Sequence, residues 1–344
     1  MSAAFGQLPI GMSLCKAIVI VSPGSLWHAD HLMNSGYFSR LLAPLALVVV
    51  AGGCSVRHFV VDRAGDALAG DSRSIAREDD PELVRAAAPF SLELMESLLD
   101  RAPDHPGLLL AAASEYTQFS YAFVQLDADM LEDQDYAAAG RGRQRARRLY
   151  LRARDHGLHG LDVAHPHFSE SLRHDPQSAA APLRRADVPL LYWTAVAWAG
   201  AISQAKDDPD LVGDLPLVDQ LTASAERLDG DFGGGALQTF LITYEMARGG
   251  RADVARGHFA RAVALGQGRA ASPYVALAEA VSVGGRARNE FLQLLAQALA
   301  VDPDRFPDNR LENLIMQRRA RWLQDHVDDL FLPSVDDSQP ENKP

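Results

Sequence analysis

The chain has 344 residues, 47% of them apolar and 23% charged, enough for one large core or two smaller ones. Its formal charge of −12, from 33 basic and 45 acidic residues, sets the net field against a nucleic-acid partner. Aromatic content of 7% and two cysteines, Cys15 and Cys54, argue against a β-rich or cystine-stapled fold and for close-packed helices.

The first element is an export signal. Arg40 precedes the apolar run Leu41–Ala51, which is followed by Gly52, Gly53 and Cys54. An 11-residue run is too short for a bilayer span, which takes about 20 residues, and fits the core of a signal peptide. Small residues directly before a cysteine resemble a bacterial lipobox, in which Cys54 would be lipidated and become the first mature residue. Residues 1–53 are thus expected as signal, with Met33 as the true start. Because Ser55 is not the aspartate that retains lipoproteins in the inner membrane, the expected location is the periplasm, anchored to the outer membrane through the lipid alone.

Residues 54–77 read as a tether and residues 78–332 as an α-helical domain. Asp80-Pro81 is a helix start, with Asp as cap and Pro at the first helical position. A spacing of Ser91, Met95 and Leu98 predicts one helical face, and a further hairpin is expected over Pro106–Met130 and Tyr136–His156. Arg141, Arg143, Arg145, Arg147, Arg148, Arg152 and Arg154 crowd its second helix, on all faces, as solvated or paired charges. Gly157–Arg185 holds three prolines and the histidines 156, 159, 165, 167 and 174 lie across its start. Their spacing matches no closed metal site and no HExxH occurs, so a histidine-rich surface loop is expected, with no metal and no cofactor. Val188–Ala205 is apolar nearly all round and should be the most buried helix. The three glycines after Asp231-Phe232 lack a following Lys-Ser/Thr and a preceding strand, so they read as a turn rather than a phosphate loop.

The clearest signal lies in Ala236–Pro303. Thr239, Ile242, Ala255, Phe259 and Ala262 recur 36 residues on as Val275, Ala278, Phe291, Leu295 and Ala298. Each copy reads as a helical hairpin that cannot bury its apolar stripe alone and must stack. The period is close to the roughly 34 residues of tetratricopeptide arrays. Glu279 stands where such a hairpin prefers a small side chain. Asp308–Gln324 is expected as a terminal capping helix, and residues 333–344 as a disordered tail. The predicted fold is all-α: cryptic tetratricopeptide-like hairpins stacked around a cleft or pore.

The lipobox, the irregular hairpins, Tyr192–Ser203, Asp231–Gly235, Ala271-Ser-Pro-Tyr-Val275 and Glu312–Leu323 follow one another in an order that resembles the T component of TRAP transporters, the TatT family of periplasmic lipoproteins. The resemblance implies a homotrimer that associates with a TRAP-type solute-binding protein and handles a small hydrophobic or organic-acid ligand without catalysis. No nucleophile elbow, metal motif or carboxylate constellation points to an enzyme. The alternative is an envelope scaffold whose repeat groove holds a protein partner, with no transport role. For ligand binding, the aromatic and polar candidates are Tyr116, Tyr121, Tyr192, Trp193, Trp198, Tyr244, Tyr274, Asn309, Arg310 and Asn313. Arg310 and Asn313, one helical turn apart, are the candidates for a carboxylate.

Overall fold

The computed structural model describes residues 72–331. The signal, Cys54, most of the tether and the C-terminal tail lie outside the described residues. Among the described residues every regular element is helical. In chain order they are α1 (Ser72–Ala76), α2 (Pro81–Leu99), α3 (Pro106–Phe119), α4 (Leu126–Leu131), α5 (Tyr136–Ala164), α6 (Phe168–His174), α7 (Pro176–Ala180), α8 (Val188–Ser203), α9 (Pro209–Val212), α10 (Leu215–Asp229), α11 (Ala236–Ala247), α12 (Ala252–Gly266), α13 (Ser272–Leu277), α14 (Arg288–Leu299), α15 (Arg310–Asp325) and α16 (Val327–Leu330). Two wide π-turns interrupt this series: Ser120–Gln125 joins α3 to α4, and Ala278–Ser282 extends α13.

Side-chain caps set several helix starts. Asp80 accepts from the Glu82 and Leu83 amides ahead of α2, and Asp135 from the Ala138 amide ahead of α5. Each bond satisfies a donor that the first helical turn leaves without an intrahelical partner. α2 runs unbroken through Pro89, and its buried stripe is Leu92, Met95 and Leu99. The expected face of Ser91, Met95 and Leu98 is therefore rotated: packing on α3 draws in the larger apolar surface of Leu92 and Leu99 and leaves Ser91 and Leu98 half-buried.

The centre of the bundle is α8, which packs against α3, α5 and α10. Nine of its side chains are buried, as an all-round apolar sequence requires. Its closest neighbour is α5, and the reason is Gly157. A Cβ there would fall 2.1 Å from Thr194 Oγ1, so only glycine lets the two helices approach. This overturns the expected histidine-rich loop. α5 continues as helix to Ala164, past His156 and His159, because its glycines serve helix packing rather than chain breaking. His156, His159 and His165 each face a carboxylate, on Glu96, Asp104 and Asp187, at 3.0, 2.8 and 2.9 Å.

α11 and α12 form one hairpin, and α13 and α14 the next. Their helices start at 236 and 252, then at 272 and 288, so both starts recur at the 36-residue offset of the sequence. Ala255, Ala262, Phe291, Leu295 and Ala298 are buried, and Phe259 partly so. The turn into α11 uses Gly235 at φ 111°, where a Cβ would also lie 2.9 Å from the Ala262 carbonyl oxygen. Steric need, not anion binding, accounts for this glycine.

The last long helix returns to the first. α15 packs on α14 and also meets α1 and α2. Arg318 donates to the Ala122 carbonyl at 3.2 Å and pairs with Asp127 at 2.9 Å; Arg85 of α2 pairs with that same Asp127. At the start of the described chain, Arg77 pairs with Asp308 at 2.7 Å and its carbonyl accepts from Arg310 at 3.3 Å. The end of the expected tether is thus a short helix tied to the turn before α15.

Candidate functional site

Tyr121 lies in the first π-turn and Glu279 in the second; burial raises the Tyr121 phenol pKa, the Glu279 carboxylate adds to the rise and Arg319 of α15 opposes it. A π-turn inserts one extra residue in a helical turn and re-aims the side chains around it, a device that recurs at functional sites. The Glu279 that looked misplaced for close helix packing has its partner 40 residues on. Arg319 Nη2 and Nε both donate to Glu279 Oε1, at 2.6 and 3.1 Å.

Around this pair a polar network extends. Gln125, at the end of the first π-turn, accepts from the Tyr150 hydroxyl at 2.7 Å. Asp129 lies 3.7 Å from Arg143, which also pairs with Glu132. Burial pushes the Asp129 carboxyl above its ordinary range, against the pull of Arg319 and Arg143. The same cause raises the Tyr150 phenol, with Tyr121 and Asp129 adding to it. For Arg319, burial works against the charged form, and the Glu279 carboxylate outweighs it, so the guanidinium is held charged.

Tyr121 is 37% exposed. Tyr192 of α8 is buried, and burial raises its phenol pKa, with Glu312 of α15 adding to the rise. Behind Tyr192 stand Trp193, Phe232 and Phe240, with ring centroids 4.8, 5.2 and 6.3 Å away. All three are only partly buried. Two shallow depressions of about 260 and 540 Å³ lie elsewhere, one beside Arg256 and Glu290 and one between Glu96 and Arg152, and neither is lined by Tyr121 or Arg319.

The other candidates from sequence fall into distinct settings. Tyr116 is buried against α5, accepts from Arg152 at 3.1 Å, stacks on His156, and has its phenol pushed up to about 12 by burial. Trp198 is buried, with Arg154 and Arg173 over its ring at 5.1 and 5.7 Å. Tyr244 donates to Asp219 at 2.8 Å and stacks on Phe240. Tyr274, half-buried, meets Phe259 edge-on at 5.6 Å. Asn309 reaches Glu312 at 3.4 Å, and Arg310 pairs with Asp304 at 3.0 Å. Asn313 is fully buried and clamps the loop before α13, accepting from the Ala271 amide at 2.8 Å and donating to the Arg269 carbonyl at 2.9 Å.

Sequence reasoning missed Glu279, Arg319, Asp129, Gln125 and Tyr150 as one group. Two signals were visible without a partner to join them: a glutamate at a packing position, and a basic cluster on a helix that otherwise carries an apolar stripe.

The described residues form an all-helical bundle whose last long helix folds back on its first. No group of histidine, cysteine and acidic side chains able to hold a metal occurs among the described residues. The family model of the TRAP transporter T-component matches residues 77–331, and the chain belongs to that family. Membership ties it to a TRAP transport system, as an accessory component on the periplasmic side. The chain is also 29% identical over 309 residues to an uncharacterized protein of Treponema pallidum (strain Nichols), covering 83% of this chain and 96% of that protein. Among the described residues no helix is long and apolar enough to cross a membrane.

Proposed function

We propose that the chain is a lipid-anchored adaptor of TRAP-type uptake, which pairs with a periplasmic solute-binding protein and receives a small hydrophobic or organic-acid ligand. Family membership over residues 77–331 carries this reading. The equal offset of the two late hairpins and the return of α15 onto α2 support a tetratricopeptide-like stack closed around a cleft. The proposed plan has a signal over 1–53 starting at Met33, a lipid on Cys54 facing the periplasm from the outer membrane, a domain over 78–332 and a free tail. The assembly is a homotrimer. Tyr121, Tyr192, Trp193 and Tyr274 retain solvent-accessible surface and are proposed to face ligand. The partners of Tyr116, Trp198, Tyr244, Asn309, Arg310 and Asn313 favour a structural role for those six.

Deletion of the gene tests the reading. Uptake of the radiolabelled solute of the cognate TRAP system should fall and return with the wild-type gene. Undiminished uptake would contradict it. Labelled palmitate should enter the wild-type chain and not Cys54→Ala.

A further inference from the structure

The arginines of α5 fall into two rows. Arg143 pairs with Asp129 and Glu132, Arg147 with Asp208, and Arg154 with Asp155 while lying over the Trp198 ring. Arg141, Arg145, Arg148 and Arg152 are spaced i, i+4, i+7 and i+11, which sets them along one side of the helix, and all four are exposed. Among the described residues Arg141, Arg145 and Arg148 form no ion pair, and the carboxylate paired with Arg152, that of Glu96 at 3.7 Å, lies nearer to His156, at 3.0 Å. Although the chain carries 45 acidic residues, no described one offsets the first three arginines. Like charges one turn apart on a helix repel, so the row costs stability in the isolated chain. Two of its members are nonetheless held in place. Arg145 lies over the Phe119 ring at 5.8 Å, and Arg152 lies over the Tyr116 ring at 5.4 Å and donates to its hydroxyl at 3.1 Å. A side chain fixed in advance loses less entropy on binding.

α2 carries a second row at the same spacing. Leu83, Ala87, Phe90 and Leu94 are exposed on the side of α2 opposite its buried Leu92, Met95 and Leu99, with Phe90 74% accessible. Each row runs about 16 Å along its helix. The His156–Glu96 contact joins α5 to α2, and the depression of about 540 Å³ there is lined by Glu93, Glu96, Arg148, Arg152 and Asp155. Glu93 follows Phe90 by one helical turn and directly precedes Leu94, so the apolar row runs beside the rim of the depression that Arg148 and Arg152 enter from the other side.

The mixture of signs restricts what fits. Glu93, Glu96 and Asp155 stand among the arginines of the depression. A phosphate surface, of a membrane or a nucleic acid, presents one sign throughout and would meet those three carboxylates as like charges. A protein surface can set carboxylates against the arginines and uncharged groups against the carboxylates. An exposed phenylalanine beside arginines also has the composition of a protein–protein contact. On a chain of formal charge −12, a basic row further decides which face an acidic partner approaches.

We propose that this face of α2 and α5 is where the solute-binding protein docks, with acidic side chains on the row Arg141, Arg145, Arg148 and Arg152 and an apolar patch on Phe90 and Leu94. This deepens the pairing part of the proposed function and rests on it.

The test is biolayer interferometry of the full-length chain in phosphatidylcholine nanodiscs, titrated with the purified solute-binding protein of its own TRAP system. The wild-type chain should bind saturably, and more weakly at high salt. Arg141 and Arg148 make no ion pair, hydrogen bond or ring contact with a described residue, so the double variant Arg141→Glu, Arg148→Glu keeps the fold. It should weaken binding at least about tenfold and flatten the salt dependence. Phe90→Ser should weaken binding at least about fivefold, while Arg227→Glu, exposed on α10, should leave it unchanged. Wild-type affinity in the double variant or in Phe90→Ser would overturn the docking face and spare the pairing. Loss of retention on phosphatidylglycerol vesicles by the double variant, with its affinity for the binding protein intact, would assign the row to lipid and overturn the face as well. No saturable binding by the wild-type chain would overturn the pairing itself, and this face with it.

Discussion

Replacing Gly157 with alanine sets two known effects against each other. Glycine in a helix interior is less favourable than alanine by about 1 kcal/mol, so on propensity alone Gly157→Ala should stabilise α5. Packing opposes it. The new methyl would sit 2.1 Å from Thr194 Oγ1, 3.1 Å from Thr194 Cβ and 3.4 Å from its Cα. Thr194 is fully buried and its hydroxyl donates to the Leu190 carbonyl at 2.6 Å, so the oxygen cannot swing away without losing that bond. Overpacking of this sort costs about 1–3 kcal/mol, and a displaced buried hydroxyl about 1 kcal/mol more. Packing wins, and the net loss is about 1–3 kcal/mol, or roughly 3–9 °C in Tm for a domain of this size. Thr194→Ala in the same chain removes the obstructing oxygen and should recover most of the loss. Thermal unfolding by circular dichroism of wild type, single and double variants is the assay. A Tm for Gly157→Ala at or above wild type would refute the close approach of α5 and α8.

Other substitutions probe the ion pairs and buried polar groups of the bundle. Glu279→Gln leaves the Arg319 guanidinium buried without its counter-charge and should cost about 3 kcal/mol in urea unfolding. Arg318→Gln breaks a more exposed pair, with side chains 37% and 36% accessible, and should cost at most about 1 kcal/mol. Asn313→Ala removes two bonds to backbone groups and should lower stability by about 2–3 kcal/mol. Glu115 gives a pH signature: burial raises its pKa from 4.5 to about 7. The folded state therefore binds more protons than the unfolded state between those values, and stability falls as pH rises through that window. Glu115→Gln should raise the unfolding free energy at pH 8 by about 2 kcal/mol, allowing for residual solvent contact, and change it little at pH 4.

What the sequence revealed followed from local pattern. The apolar run of α8, the capped start of α2 and the 36-residue recurrence each rest on residues within a turn or two, or on self-similarity, and the helices stand where those signals put them. What it concealed depended on partners distant in the chain. Gly157 has the same look whether it breaks a helix or lets another helix approach, and only Thr194, 37 residues on, distinguishes the two. The histidines suggested a surface loop because their carboxylate partners come from other elements. Neither π-turn has a sequence signature here, so the re-aiming of Tyr121 and Glu279 was not legible. Arg310 and Asn313 shared a helix face with no sign that Asn313 was bound to the backbone of the α12–α13 loop.

The central claim is that this chain works by pairing with a TRAP solute-binding protein. Sedimentation velocity on the purified full-length chain, titrated with the solute-binding protein of its own TRAP system, measures that most directly. The account predicts a discrete, saturable complex larger than either component. Two boundaries that stay separate at every ratio, with both proteins folded, would contradict it.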